Sequence, residues 1–299
     1  MHQRALPPQI TRAGRYAFPA LILSNIFLAL GPWMVRLADV GPVAAGFWRL
    51  ALAIPFLLLL MRAGGKSQVR PDRAILVLIV ISGLFFAGDL AAWHYGIVRT
   101  KLANATLFGN CSSFLFAIYG FIVMRALPRP MQAAAFALAA VGTALMLGGS
   151  YELSARNFAG DLFALLAGFF YALYLIVIDR ARKTLAPMPV LALATTAATL
   201  PLLLFAWLLG ETVMPTDWTP LVLLALGSQV AGQGLLVYAM GYLNPVVVGI
   251  TLLMQPAVTA LIGWLAYDEG FSATDLVGAL LICVALVLIR LPGRAAEPA

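Results

Sequence analysis

Charge is scarce in this chain. Asp, Glu, Lys and Arg together make up 10% of its residues, against about 25% in an ordinary soluble domain. A water-facing surface over 299 residues needs far more, so a soluble globule is excluded. Histidine and cysteine each occur twice. Neither shows metal-ligand spacing, and two cysteines make no disulfide framework. Cys111 and Cys283 lie inside apolar runs and read as small core residues. No nucleophile–base pair and no phosphate-binding glycine loop is present. An enzyme is therefore not expected, and neither is a metal or a cofactor.

What the chain has in excess is apolar surface. Hydrophobic residues account for 63%, and the mean hydropathy is +0.96. Composition of this kind excludes disorder and points to a polytopic membrane protein. Apolar runs of about 20 residues read as spanning helices. They fall at 17–37, 43–61, 74–96, 102–124, 131–149, 158–178, 189–209, 218–241, 245–266 and 273–291. The expected class is an all-α integral membrane protein with ten transmembrane helices and no soluble domain. Met1–Tyr16 is basic and precedes an apolar run, but a second apolar run follows at once, so it is not read as a signal peptide.

The basic residues set the orientation. With the N-terminus in the cytoplasm, inner segments hold fourteen Lys and Arg, outer loops hold Arg99, Lys101 and Arg156, and spans hold Arg36 and Arg49. Both termini are therefore expected to be cytoplasmic. The same bias accounts for most of the +7 net charge, so no nucleic-acid partner is needed.

A polar break at Ser150–Asn157 divides the spans into halves of five, at 17–149 and 158–291. An odd number of spans per half forces opposite insertion, which predicts an inverted repeat. At a shift of 143 residues Tyr95 meets Tyr238 and Ala29 meets Ala172. Helix breakers punctuate both halves: Gly31-Pro32 in the first span, Pro55 in the second, Pro201 in the seventh and Pro256 in the ninth. The segment Gly227–Gly234 of the eighth span is dense in small residues. Close helix packing explains such positions. Bending during alternating access would use the same positions, with Pro32 and Pro256 as gates.

Ionisable groups at membrane depth are costly and face a cavity or each other. Arg49 and Asp89 lie six or seven residues inside their spans, roughly 10 Å deep at 1.5 Å per residue. They are a candidate ion pair. His94 fits either proton transfer or a hydrogen-bonded structural role. Polar stripes at three- or four-residue spacing recur as Asn25, Pro32 and Arg36; Thr106, Asn110 and Ser113; Gln229 and Gln233; and Thr251, Gln255 and Thr259. One stripe alone reads as interhelical hydrogen bonding, whereas four, two in each half, fit a shared path. Trp93, Tyr95 and Tyr238 sit near span ends, where interfacial belts also place aromatics. Tyr171 and Tyr174 lie deeper, one turn apart. A cavity of aromatics and amides suits an uncharged or zwitterionic apolar solute.

Several stretches carry a family resemblance. Phe170-Tyr-Ala-Leu-Tyr174, Met254-Gln-Pro-Ala-Val-Thr-Ala260, Ala266-Tyr-Asp-Glu-Gly270 and Gly46-Phe-Trp-Arg49 resemble the drug/metabolite transporter superfamily with paired EamA-type domains. The first half departs from it, with Met124-Arg-Ala126 where the second has Tyr267-Asp-Glu269. Asp89-Leu-Ala-Ala-Trp-His-Tyr95 and the amide-bearing fourth span look most like the YddG-type aromatic amino acid exporters. The resemblance implies a secondary transporter in the bacterial inner membrane. It would export aromatic or other hydrophobic amino acids, or another small metabolite or amphipathic drug, by alternating access. Trp93, His94, Tyr95, Tyr171, Tyr174 and Tyr238 are expected to wall the cavity. Asn110, Gln229, Gln233 and Gln255 are expected to bind the polar end of the solute. The lipid bilayer and the solute are the partners expected, and no obligate protein partner is.

Overall fold

The computed structural model describes residues 14–63, 72–100, 105, 108–125, 127–148, 157–267 and 273–289. Among the expectations above, Lys66, Arg70, Lys101, Thr106, the Ser150–Arg156 part of the polar break, Asp268-Glu269-Gly270 and both chain ends lie outside these residues. All described elements are helical. A short 3-10 turn, Gly14–Tyr16, leads into α1 (Ala17–Ala29) and α2 (Gly31–Leu37). Then come α3 (Pro42–Ala63), α4 (Arg73–Ile97), α5 (Cys111–Met124) and α6 (Pro130–Gly148). The second half has α7 (Phe158–Arg182), α8 (Pro187–Leu208) and α9 (Thr219–Leu223), followed by a π-helical segment (Leu224–Gln233). It ends with α10 (Gly234–Met240), α11 (Pro245–Leu252), α12 (Gln255–Tyr267) and α13 (Ala273–Leu288).

Among the described residues, six stretches are long and apolar enough to cross a membrane: Gly14–Leu37, Pro42–Ala63, Arg73–Ile97, Phe158–Arg182, Pro187–Leu208 and Thr219–Met240. Four shorter apolar helices, Cys111–Met124, Pro130–Leu145, Pro245–Thr259 and Leu276–Leu288, complete the set. The order is three long and two short, then three long and two short again.

Local chemistry sets the ends. Asp72 Oδ1 accepts the Ile75 N–H at 2.7 Å, capping α4. Asn244 Oδ1 accepts the Val247 N–H at 2.9 Å, capping α11, whose first residue is Pro245, where a missing N–H costs nothing. Arg125 takes a left-handed conformation (φ 48°) and closes α5.

Four expected spans are not continuous α-helices; the fourth breaks at Asn110, before α5. The first breaks at Leu30, and Gly31-Pro32 starts α2 afresh. The ninth breaks at Leu253-Met254, so Pro256 does not kink an α-helix interior but sits in the first turn of α12. The eighth widens into ten π-helical residues where glycine and serine are dense. Pro55 and Pro201, by contrast, lie inside unbroken helices.

The helices pair across the two halves. α3 packs on α8, α5 on α11 and α6 on α13, while α4 packs on α7 and α1 on the π segment and α10. This scheme is unchanged when the halves are exchanged. Large apolar side chains cover the outside, with Leu59, Leu200, Trp207 and Leu265 each more than half exposed. Such a surface is stable against hydrocarbon and not against water.

Candidate functional site

A cavity opens where the helices are interrupted. Its volume is about 130 Å³. Gly31 and Pro32 at the α1–α2 break, Asn110 at the start of α5, Gln255 at the start of α12 and Gln233 at the end of the π segment all line it. Irregular backbone at membrane depth is tolerated where it borders such a cavity. Arg49, Phe86, Asp89, Trp93, His94 and Tyr171 complete the wall.

Two ionisable side chains share this space. Arg49 is 7% exposed and Asp89 9%. The expected Arg49–Asp89 ion pair is not among the ion pairs of the described residues. Instead the Arg49 Nε–H donates to Gln229 Oε1 at 3.1 Å, and its guanidinium lies 5.8 Å from the centre of the Phe86 ring. Gln229 in turn donates Nε2 to Thr195 Oγ1 at 2.9 Å. The arginine is thus oriented by a neutral amide, and the aspartate is left to the cavity.

His94 Nδ1 lies 2.7 Å from the Pro42 carbonyl oxygen. A carbonyl oxygen only accepts, so the proton sits on Nδ1, and Nε2 of a neutral ring is an acceptor. Gly46 permits this approach, because a Cβ there would stand 3.0 Å from His94 Nδ1.

The aromatic wall is a stack. The Tyr171 and Tyr174 ring centres are 5.7 Å apart and those of Tyr174 and Phe86 are 4.6 Å apart, all close to parallel. Gln233 holds both tyrosines. Tyr174 OH donates to Gln233 Oε1 at 3.3 Å, and Gln233 Nε2 donates to Tyr171 OH at 3.2 Å. Gln255 Nε2 donates to Asn25 Oδ1 at 3.1 Å, which ties α12 to α1. Asn110 Nδ2 is buried with no hydrogen-bond partner.

The structure therefore gathers Trp93, His94, Asn110, Tyr171, Gln233 and Gln255 around Arg49, Asp89 and Pro32. Four other expected binding residues lie outside the lining. Tyr174 is fully buried behind Tyr171, and Gln229 is fully buried behind Arg49. Tyr95 turns to Phe163, with ring centres 4.9 Å apart, and carries Arg99 over its own ring at 3.2 Å. Tyr238 packs on Tyr242 and borders a separate groove with Leu60 and Met188. Pro256 is buried next to the lining residue Gln255. Sequence reasoning missed Thr195, and it missed Gly168. A Cβ on Gly168 would meet Cys111 Sγ at 2.5 Å and the Gly109 carbonyl oxygen at 2.7 Å, so only glycine lets α7 press on the start of α5.

Beyond the helix ends, two loops are joined. Asp39 accepts from the Thr216 hydroxyl, from Thr216 N–H at 2.8 Å and from Asp217 N–H at 3.2 Å. These bonds, the hydroxyl's foremost, hold its carboxyl below the usual carboxylate range. Glu211 Oε2 accepts the Ala44 N–H at 2.8 Å, Gly41 N–H donates to Thr212 O at 2.9 Å, and Trp48 Nε1–H donates to Val213 O at 2.6 Å. At the opposite end, Tyr119 OH donates to Asp179 Oδ2 at 3.1 Å and Arg182 Nε–H donates to Val237 O at 2.7 Å.

Comparison with known proteins gives the same class. An uncharacterized transporter of Archaeoglobus fulgidus is 26% identical over 292 residues, covering 93% of this chain and 97% of the relative. A second uncharacterized transporter from that organism is 23% identical over 273 residues, covering 89% and 91%. A protein crystal structure superposes with a TM-score of 0.76 at 20% identity, over 97% of this chain and 99% of the other, which shows a shared fold. The model of the EamA-like transporter family matches twice, at residues 16–148 and 158–291. With two matched repeats and its apolar helices, the chain is a multi-pass membrane transporter that belongs to the EamA-like transporter family.

Proposed function

We propose that this transporter exports aromatic or other hydrophobic amino acids across a bacterial plasma membrane by alternating access. In this reading ten spans form two inverted halves, 17–149 and 158–291, with both termini in the cytoplasm. One observation carries it: a single cavity holds a buried guanidinium, Arg49, and a buried carboxyl group, Asp89, beside the Tyr171 ring. A zwitterion with an aromatic side chain complements that set. Its carboxylate is attracted to Arg49 and its ammonium to Asp89 and the Nε2 acceptor of His94. Its ring meets Tyr171, Trp93 and Phe86. A polyanion has no cluster of basic residues to meet here.

The interrupted helices supply the moving parts. Breaks at Leu30 and Leu253-Met254 put bending points beside the cavity, as in transporters whose binding sites are formed by discontinuous helices. Opening one end then requires the bonds between the Asp39 and Thr216 loops to part, and opening the other requires the same of Tyr119 and Asp179.

The test is uptake of labelled phenylalanine and tryptophan into liposomes carrying the purified protein, with and without a pH gradient. Saturable flux above empty liposomes is expected. Absence of flux would withdraw the amino acid assignment in favour of another metabolite or an amphipathic drug. Flux that ignores the gradient would make the protein a uniporter, and flux that follows it would point to Asp89 and His94 as proton carriers.

A further inference from the structure

Asn110 stands where the fourth span is interrupted, immediately before α5. It is 8% exposed and lines the cavity, and among the described residues its Nδ2 donates to nothing. The groups around it are already committed. Ser112 Oγ donates to Gly109 O at 2.9 Å, Ser113 N–H donates to the Asn110 carbonyl at 3.0 Å, and Cys111 Sγ reaches Leu165 O at 3.7 Å. The amide does not cap its own helix. A buried donor without an acceptor is costly, and its natural partner is an acceptor that arrives from outside the protein.

The surroundings favour an anionic acceptor. α5 runs for 14 residues away from this point, so the positive end of its dipole faces the cavity. Arg49 adds a full positive charge to the same wall. The corresponding break in the second half is different. There Gln255, at the start of α12, spends its Nε2 on Asn25. The two breaks are thus not equivalent: the amide at the start of α12 is engaged, and the one before α5 is not.

We infer that Asn110 Nδ2 and the start of α5 form the seat of the solute's carboxylate, with Arg49 as the facing charge. The inference rests on the transport reading above and adds which end of the solute is held where. The carboxylate lies against the first half at α5, and Asp89 is left for the ammonium group.

The seat is tested by titrating the purified full-length protein in lipid nanodiscs with 3-phenylpropionate, which has a carboxylate and no amine. Phenethylamine, which has the amine and no carboxylate, is the control. Phenylpropionate is expected to bind the wild type, to bind Asn110→Ala about tenfold more weakly, and not to bind Asn110→Asp. Phenethylamine is expected to bind the wild type and Asn110→Ala alike, and Asn110→Asp at least as tightly, because the new carboxylate attracts its ammonium group. If Asn110→Ala folds poorly, Asn110→Asp, which keeps the shape of the side chain, carries the test. No phenylpropionate binding to the wild type, equal binding by the variants, or equal weakening of both ligands would overturn the seat. Phenylalanine flux that is undiminished in Asn110→Ala would overturn it while leaving the transport reading intact. Asn110-dependent phenylpropionate binding without phenylalanine flux in the wild type would do the reverse.

Discussion

Arg49 on α3 reaches Gln229 on the π segment, its Nε–H 3.1 Å from the amide oxygen, and Gln229 passes the contact on to Thr195 of α8 at 2.9 Å. Three helices are tied through one fully buried amide. Gln229→Leu removes the acceptor from a buried guanidinium and the donor from Thr195. A hydrogen bond to a charged group is worth about 1.5–3 kcal/mol, so the variant is expected to lose about 2 kcal/mol of stability. Denaturant unfolding of the purified protein measures it. Unchanged stability would mean that Arg49 finds another acceptor.

Pro256 lies in the first turn of α12, where a proline costs the helix nothing. Pro256→Ala is therefore expected to change stability by under about 1 kcal/mol. It also gives back an N–H with which α11 and α12 can join into one helix across Leu253-Met254. If the break serves movement, transport falls several-fold at equal protein level. Equal rates in liposomes with matched protein would show that the break is only a packing feature.

The long spans were legible because hydrocarbon thickness sets their length and apolar character. Expected ends at 43–61 and 74–96 differ from Pro42–Ala63 and Arg73–Ile97 by one or two residues. The break at Gly31-Pro32 was visible as a helix-breaking pair, and that before Pro256 as a single proline. The break at Asn110 was not, since no proline marks it. The π segment showed only as a cluster of small residues, because which carbonyl each N–H chooses depends on packing against α1 and α3. Within the site, a charge at membrane depth announced Arg49 and Asp89. Which side of a helix Tyr95 or Tyr238 presents depends on neighbours remote in sequence, Phe163 for the one and the α3–α8 groove for the other. The Asp39–Thr216 link joins residues 177 positions apart, and no spacing rule reaches that far.

That link supplies a pH prediction. The Thr216 and Asp217 donors hold the Asp39 carboxyl below its ordinary value, which is about 3.9 in an unstructured peptide. A carboxyl depressed in the folded state contributes stability above the unfolded value and loses it as pH falls through the folded one. Hydrogen-exchange protection of the Thr216 and Asp217 amides is therefore expected to hold from neutral pH down to about 4 and to disappear below it. In Asp39→Ala these amides should be unprotected throughout. Protection lost near pH 6 in the wild type would contradict the assignment.

Tyr171 and Tyr174 share a stack and a glutamine, yet only Tyr171 borders the cavity. Their variants should therefore part company. Tyr171→Ala removes the ring that a bound aromatic solute would meet. An aromatic pair contributes about 0.5–1.5 kcal/mol, so KM for phenylalanine is expected to rise about two- to tenfold. Tyr174→Phe keeps the Tyr174 ring against Phe86 but leaves Gln233 Oε1 without its donor. It is expected to cost about 1–3 kcal/mol of stability while KM stays within about twofold of the wild type, since an intact stack keeps the pair worth of about 0.5–1.5 kcal/mol. Flux kinetics and denaturant unfolding on the same two preparations separate the effects. A KM that rises as much in Tyr174→Phe as in Tyr171→Ala would mean that the stack acts as one unit and that the solute is read through Gln233 rather than through the exposed ring.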